Sequence, residues 1–172
     1  MQYFKDHKNR IIIRGKVFPI DCSNFARAVY FAALNKDVFL EADEEDVAAP
    51  GNNSGVETIY NLFEAKYKIR KEPEVGDLIF FDNSYDKNRN KKMDDFFTHT
   101  AVVIELDEDG TVTFIHGGTG RGIAKDYMNL KHPHLHVKEG KMINSYLQRD
   151  YKWLKAAPKL TAELFHAFGG ME

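Results

Sequence analysis

The amino-acid sequence predicts an α+β fold in which a helix near the start packs on a mostly antiparallel sheet. Three observations carry this. Between Ser23 and Leu34, Phe25, Ala28, Val29 and Ala32 recur at i, i+3, i+4 and i+7, the apolar face of a helix. From residue 77 onward the pattern changes to short apolar and β-branched runs, at Asp77–Phe81, Thr100–Leu106 and Thr111–Ile115. Asp107-Glu-Asp-Gly110 separates the last two runs, a hairpin signal that makes them antiparallel neighbours. Helices before strands, rather than alternating with them, is the α+β order.

Taken in order, residues 1–20 read as an irregular lead-in with one short apolar run, Ile11–Ile13. Asp21 can cap the first helix, which places Cys22 in its first turn. Residues 41–55 are acidic, then turn-rich at Pro50-Gly-Asn-Asn-Ser54, and read as a surface loop. Ser54 with Glu57 three residues on forms a capping-box pattern for a second helix, whose apolar stripe is Val56, Ile59, Tyr60 and Phe63. The near-continuous apolar run ending at Phe81 reads as a buried strand, and a polar loop follows from Asp82 to Asp95. Gly117–Gly122 is a glycine-rich turn. It lacks the Gly-Lys-Ser/Thr ending of a phosphate-binding loop, and no helix pattern follows it. Leu160, Leu164 and Phe168 are spaced for a closing helix. The 172 residues suit one domain, and no repeat or linker divides them, so a single domain over 1–172 and a monomer are expected.

Composition narrows the function classes. The formal net charge is −2 with both signs dispersed, which argues against non-specific binding to nucleic acid or an anionic membrane. There is no apolar run of about 18 residues, the length needed for a transmembrane segment. Cys22 is the only cysteine, which excludes an internal disulfide and a multi-cysteine zinc site.

A lone cysteine is more often a small buried hydrophobe than a nucleophile. The surroundings of Cys22 argue otherwise. A helix start favours thiolate, but its contribution of about 0.3–2 kcal/mol lowers a thiol pKa by little more than about one unit. A partner imidazolium is therefore needed to hold a thiolate near neutral pH. His99 opens one strand of the hairpin and His116 closes the other, so the two can meet although they are 17 residues apart. One can act as base while the other fixes its tautomer.

Asp21-Cys-Ser-Asn-Phe-Ala26 resembles the nucleophile motif of the NlpC-type cysteine peptidases of bacterial cell walls. Glu74-Val-Gly-Asp-Leu-Ile-Phe-Phe81 resembles the family's Pro-Gly-Asp-Leu strand, and Thr98-His-Thr-Ala-Val-Val-Ile104 resembles the strand that begins with its catalytic histidine. Phe114-Ile-His116 falls where the family ends its next strand on an orienting histidine. The four signals keep the family's order over about 21–123. Asn24 in place of the family's Gly belongs to a Cys-Ser-Asn-Phe stretch that leans towards the related CHAP amidases, as do the long hairpin and Ala101. His116 leans back towards NlpC.

The resemblance implies a papain-like fold and hydrolysis of amide bonds in peptidoglycan stem peptides, one common target being the bond between γ-linked D-glutamate and the diamino acid. It implies Cys22 as nucleophile, His99 as base, His116 as the orienting residue, and Asp21 and Ser23 as contacts for the substrate's free amine. A CHAP-like amidase, a toxin or lysin with the same chemistry, and a wall-binding module with weak catalysis are the alternatives. Murein peptides are the expected partners, and the expected location is periplasmic or secreted, after removal of a signal that this chain does not show. No cofactor is required.

Two further groups could hold a metal. In Asp86-Lys-Asn-Arg-Asn-Lys-Lys-Met-Asp94, the oxygen-bearing Asp86, Asn88, Asn90 and Asp94 fall at positions 1, 3, 5 and 9 of a calcium loop, although Lys91 stands where an EF-hand has Gly and Phe97 where it has Glu. A solvated loop is the plainer reading. His132, His134 and His136 alternate and would share one face of a strand, where a solvated face is commoner than a zinc site.

Overall fold

The computed structural model describes residues 4–5, 10–37, 40 and 55–171. Its centre is a six-stranded antiparallel sheet in the order β4-β11-β5-β6-β7-β8. These strands are β4 (Lys68–Arg70), β5 (Leu78–Phe81), β6 (His99–Leu106), β7 (Thr111–Thr119), β8 (Gly122–Asn129) and β11 (Phe165–Gly170). A small sheet of β1 (Phe4–Lys5), β2 (Arg10–Ile13) and β3 (Lys16–Pro19) precedes helix α1 (Cys22–Leu34). Helix α2 (Gly55–Lys66) follows, and a two-stranded ribbon of β9 (Val137–Lys138) and β10 (Lys141–Met142) lies late in the chain. The α+β expectation holds.

Strand β5 shows why its sequence reads as continuously apolar. Leu78 and Phe80 pack into a cluster with Ala26 and Tyr30 of α1 and Ile59, Leu62 and Phe63 of α2. Ile79 and Phe81 point the other way, into a second cluster with Ala101, Val103, Phe114, Met128, Leu164 and Phe168. All four β5 side chains are fully buried because both faces of the sheet are covered there.

Residues 10–20 are not the irregular lead-in expected. Ile11, Ile13 and Phe18 of the β2–β3 hairpin pack on Phe25, Ala28 and Ala32, the very helix face that the periodicity marks. The Ile11–Ile13 run hides the alternation: Ile11 and Ile13 are buried while Ile12 faces out. The two-residue turn has positive φ at both Arg14 and Gly15, the requirement of the type I′ hairpin turn.

Two other expectations are corrected. The Gly117–Gly122 region is not simply a turn, because β7 runs on to Thr119 and β8 starts at Gly122, forming a second long hairpin. Leu160, Leu164 and Phe168 do not lie on a closing helix. A single 3₁₀ turn, Thr161–Leu164, leads into β11, which inserts between β4 and β5. The i, i+4, i+8 spacing is met by buried positions on a turn and then a strand. Gly169 explains the choice, since it lies where a Cβ would meet the Phe80 and Phe63 rings at 2.8 and 2.9 Å, so the chain must pass flat against the aromatic core. The capping role of Ser54 lies outside the described residues, but α2 buries Val56, Ile59 and Phe63 as its stripe predicts, with Tyr60 partly covered.

Candidate active site

Asp21 is extended and caps α1, its carboxylate accepting from the backbone N–H of Asn24 at 2.8 Å, from Ser23 Oγ at 2.8 Å and from Asn24 Nδ2 at 2.6 Å. Cys22 is therefore the first residue of the helix, half-buried. Asn24, which departs from the glycine of the NlpC motif, stiffens the cap and accepts in turn from Arg27 Nη1 at 2.7 Å.

The end of β7 presses against this helix start through two glycines. A Cβ on Gly117 would sit 2.7 Å from Phe25 Cβ, and one on Gly118 would sit 2.8 Å from the Cys22 backbone nitrogen. Gly118 also has a φ of +72°, which other residues avoid. The glycine pair is what brings the strand carrying His116 up to the residue that starts the helix.

The β6–β7 pairing sets Val102 opposite Ile115, which places the start of β6 and the end of β7 at one end of the sheet. His99 and His116 meet there, with His99 Nε2 2.7 Å from His116 Nδ1, both side chains buried. The structure extends this contact one step beyond the sequence expectation: His116 Nε2 lies 2.9 Å from Asp126 Oδ2. Asp126 sits on β8, buried between Ala124 and Met128, and the exposed Arg121 donates to its carboxylate. The clue in the sequence was the alternation Ala124-Lys-Asp126-Tyr-Met128, which puts an acid on the buried side of a strand.

The proton positions follow from this chain of contacts. Burial pushes the Asp126 carboxyl up, but hydrogen bonds from His116 and Arg121 outweigh it and hold the group below its usual range, so it is an acceptor only. His116 then carries a proton on Nε2, and in its neutral form it leaves Nδ1 to accept. To a neutral His116, His99 donates from Nε2, and its own Nδ1 is left bare. Burial, reinforced by the neighbouring His116, lowers His99 to about 3, so the imidazole is neutral.

Burial likewise raises the Cys22 thiol to about 11, against the pull of the Thr100, Ser23 and Cys22 backbone N–H groups and with a further push from Asp21. The thiol thus lies at the backbone of the residue that follows His99. Both shifts favour the uncharged thiol and imidazole over an imidazolium–thiolate pair. The arrangement can perform general-base activation, in which the proton leaves sulfur as attack begins.

Beside these residues opens a cleft of about 300 Å³ lined by Tyr85, His99, His116, Arg121, Tyr146 and Arg149 among others. Its rim depends on the 82–98 loop. Ser84 donates to Thr98 Oγ1 through both its N–H and its hydroxyl, at 2.9 and 2.8 Å, and Phe97 N–H donates to Asp82 at 2.8 Å. In the Asp86–Asp94 segment, Asp86 accepts from the N–H groups of Asn90 and Lys91 at 3.1 and 2.9 Å, Asn88 accepts from Asn90 N–H at 2.9 Å, and Asn90 Nδ2 donates to Asp94 at 3.2 Å. Among the described residues no three His, Cys, Asp or Glu side chains converge as a metal site. The three alternating histidines separate: His132 contacts Lys138, His134 contacts Glu163, and His136 contacts the Asn144 carbonyl. Pro133 and the turns around it keep residues 131–136 out of a strand.

Among known families, the CHAP domain model matches residues 14–118, more than half of the chain. No curated protein matches, and no solved structure matches. The matched span includes Cys22, His99 and His116 and stops before Asp126. It is the family towards which Cys-Ser-Asn-Phe and Ala101 lean.

Asp126→Asn keeps the size and one acceptor but removes the charge that stabilises a cationic His99 through His116. The expected result is a fall in kcat of roughly 10²-fold with KM little changed, measured by steady-state kinetics. Stability should also depend on pH. His99 titrates near 6.5 when unfolded and lower when folded, so the unfolded chain binds the proton first. The stability contributed by neutral His99 is complete above about pH 6.5 and is lost as pH falls towards 3. Asp126 adds its own loss only below about pH 4. Urea midpoints taken across this range should decline from about pH 6.5 for the wild type and stay flat down to about pH 4 for His99→Gln.

Proposed function

The chain belongs to the CHAP family of cysteine- and histidine-dependent amidases and peptidases acting on peptidoglycan, and from that premise we propose that it cleaves an amide bond within the stem peptides. The observation that carries this reading is the buried line His99–His116–Asp126 beside a helix-start cysteine.

In the proposed mechanism Cys22 Sγ attacks the carbonyl carbon while His99 Nδ1 takes the thiol proton. The imidazolium so formed is stabilised through His116 by the Asp126 carboxylate. The backbone N–H of Cys22, at the positive end of α1, is one donor to the oxyanion. The tetrahedral intermediate collapses, the C–N bond breaks, and His99 returns its proton to the leaving amine. Water then repeats the sequence on the thioester and frees Cys22. Asp21 is exposed, and a substrate amine could approach its carboxylate. Ser23 is buried against Asp21 and donates to it, which supports an indirect role in that contact. The bond between γ-linked D-glutamate and the diamino acid is the proposed target, because an amine recognised at Asp21 must lie a short distance before the scissile carbonyl. No helix among the described residues is long and apolar enough to cross a membrane. Action on peptidoglycan supports a site of work outside the cytoplasm.

Purified sacculi digested with the protein should yield new amine and carboxyl termini within stem peptides, with glycan strands uncut, as read by mass spectrometry. Cys22→Ala should abolish the products without lowering the melting temperature appreciably, since a thiol replaced by methyl loses little packing. Wild-type digestion by Cys22→Ala would sink the reading.

The 86–95 loop is proposed to take calcium as a structural ligand. Its support is local: Arg89 and Lys91, the fourth and sixth positions, have φ of 61° and 62°, so Lys91 adopts the turn conformation for which an EF-hand uses glycine. The expected affinity is on the order of 10⁻⁴–10⁻³ M. Millimolar calcium should raise the melting temperature, and Asp86→Ala with Asp94→Ala should remove the increase. A melting curve indifferent to calcium and to chelator would remove the site.

A further inference from the structure

The cleft beside the nucleophile contains an imbalance of charge that the proposed mechanism does not use. Its lining holds two arginines and a single carboxylate, Asp126. That carboxylate is buried and already accepts from His116 and from Arg121, so Arg121 is neutralised where it stands. Arg149 is different. It is exposed, and its guanidinium makes no ion pair among the described residues. Its placement is nevertheless built. The Arg149 backbone N–H donates to the Ser84 carbonyl at 2.7 Å, and the guanidinium carbon lies 5.7 Å from the centroid of the Tyr85 ring. Gln148 Nε2 donates to the Asn83 carbonyl at 3.1 Å, tying the same segment to the loop that enters β6. Tyr85 stands between the two functions: its hydroxyl is within electrostatic reach of both Cys22 and Arg149. A planar guanidinium, stacked on an aromatic ring and free on its outer edge, is suited to bidentate capture of a carboxylate.

We propose that Arg149 is the specificity residue of the cleft and binds a free carboxylate of the substrate peptide close to the scissile amide. The substrate class is then a peptide acidic at that position, discriminated from the same peptide with the carboxylate converted to a carboxamide. Loss of one negative charge leaves the guanidinium facing a neutral group and forfeits the charge-assisted pair, whereas the scissile bond is unchanged. The proposal rests on the hydrolase reading for its substrate, but not for its charge.

The test therefore has two arms. In the first, Cys22, the only thiol, is alkylated with iodoacetate or with iodoacetamide, which are similar in size and differ in charge. The ratio of the anionic to the neutral reagent's rate should exceed that of a free thiol at low ionic strength and fall as salt is added. Arg149→Gln should lower this ratio roughly 3- to 10-fold, with the iodoacetamide rate unchanged as evidence of an intact site, and Arg149→Lys should restore most of it. In the second arm, stem peptides with free and amidated carboxylates are compared as substrates. The wild type should favour the free acid through KM, and Arg149→Gln should erase the preference with kcat preserved. An alkylation ratio that Arg149→Gln leaves unaltered, or a thiol that neither reagent reaches, would overturn the proposal. A normal ratio shift with no peptide cleaved would instead overturn the hydrolase reading and leave the anion site standing.

Discussion

Two imidazoles 2.7 Å apart in a protein interior share a hydrogen bond only when one nitrogen donates and the other accepts. Nothing in the pair itself decides which. Asp126 holds the proton on His116 Nε2, because an ionised carboxylate can only accept, and a neutral His116 then accepts from His99. The site's chemistry depends on that single orientation. With the opposite tautomer His99 would carry its proton on Nδ1 and could not take one there.

The same contacts explain how Cys22 and His99 can be held without charge. An unpaired charge in this environment is costly, and burial pushes the thiol and the imidazole each towards its neutral form. In the proposed mechanism charge separation is deferred until substrate arrives, when an imidazolium developing on His99 has a carboxylate two hydrogen bonds away. Arg121 holds that carboxylate ionised from the solvent side, although the residue lies at the tip of a hairpin and is largely exposed. The buried half of the network and its exposed counter-ion are thus linked across the protein surface by one ion pair.

Much of this was legible in the sequence. Helical spacing from Phe25 to Ala32 fixes which side of α1 is covered, and the hairpin signal at Asp107–Gly110 brings His99 to His116 by simple antiparallel geometry. Asp126 was harder to find because its contact depends on the next hairpin, whose glycine-rich tip resembles a turn and conceals where β7 ends and β8 begins. Strand β11 was hidden for another reason. Leucine and phenylalanine at four-residue intervals satisfy a helix, and only the need of Gly169 to lie flat against Phe63 and Phe80 favours a strand. In the β2–β3 hairpin the outward Ile12 fills what would otherwise be the polar half of the alternation. Each case is a tertiary requirement that local pattern does not encode.

The position of β11 has a consequence for the order of assembly. It pairs with β5 on one side and β4 on the other, so residues 165–170 occupy an interior place in a sheet whose other strands all precede them in the chain. During synthesis, β5 would be left with an open edge, and the aromatic surface of Phe63 and Phe80 would remain uncovered until these last residues emerge. Contacts of such long sequence separation close late and slowly. A nascent chain therefore carries Cys22, His99 and His116 for many residues of elongation before the strand that completes the sheet is made.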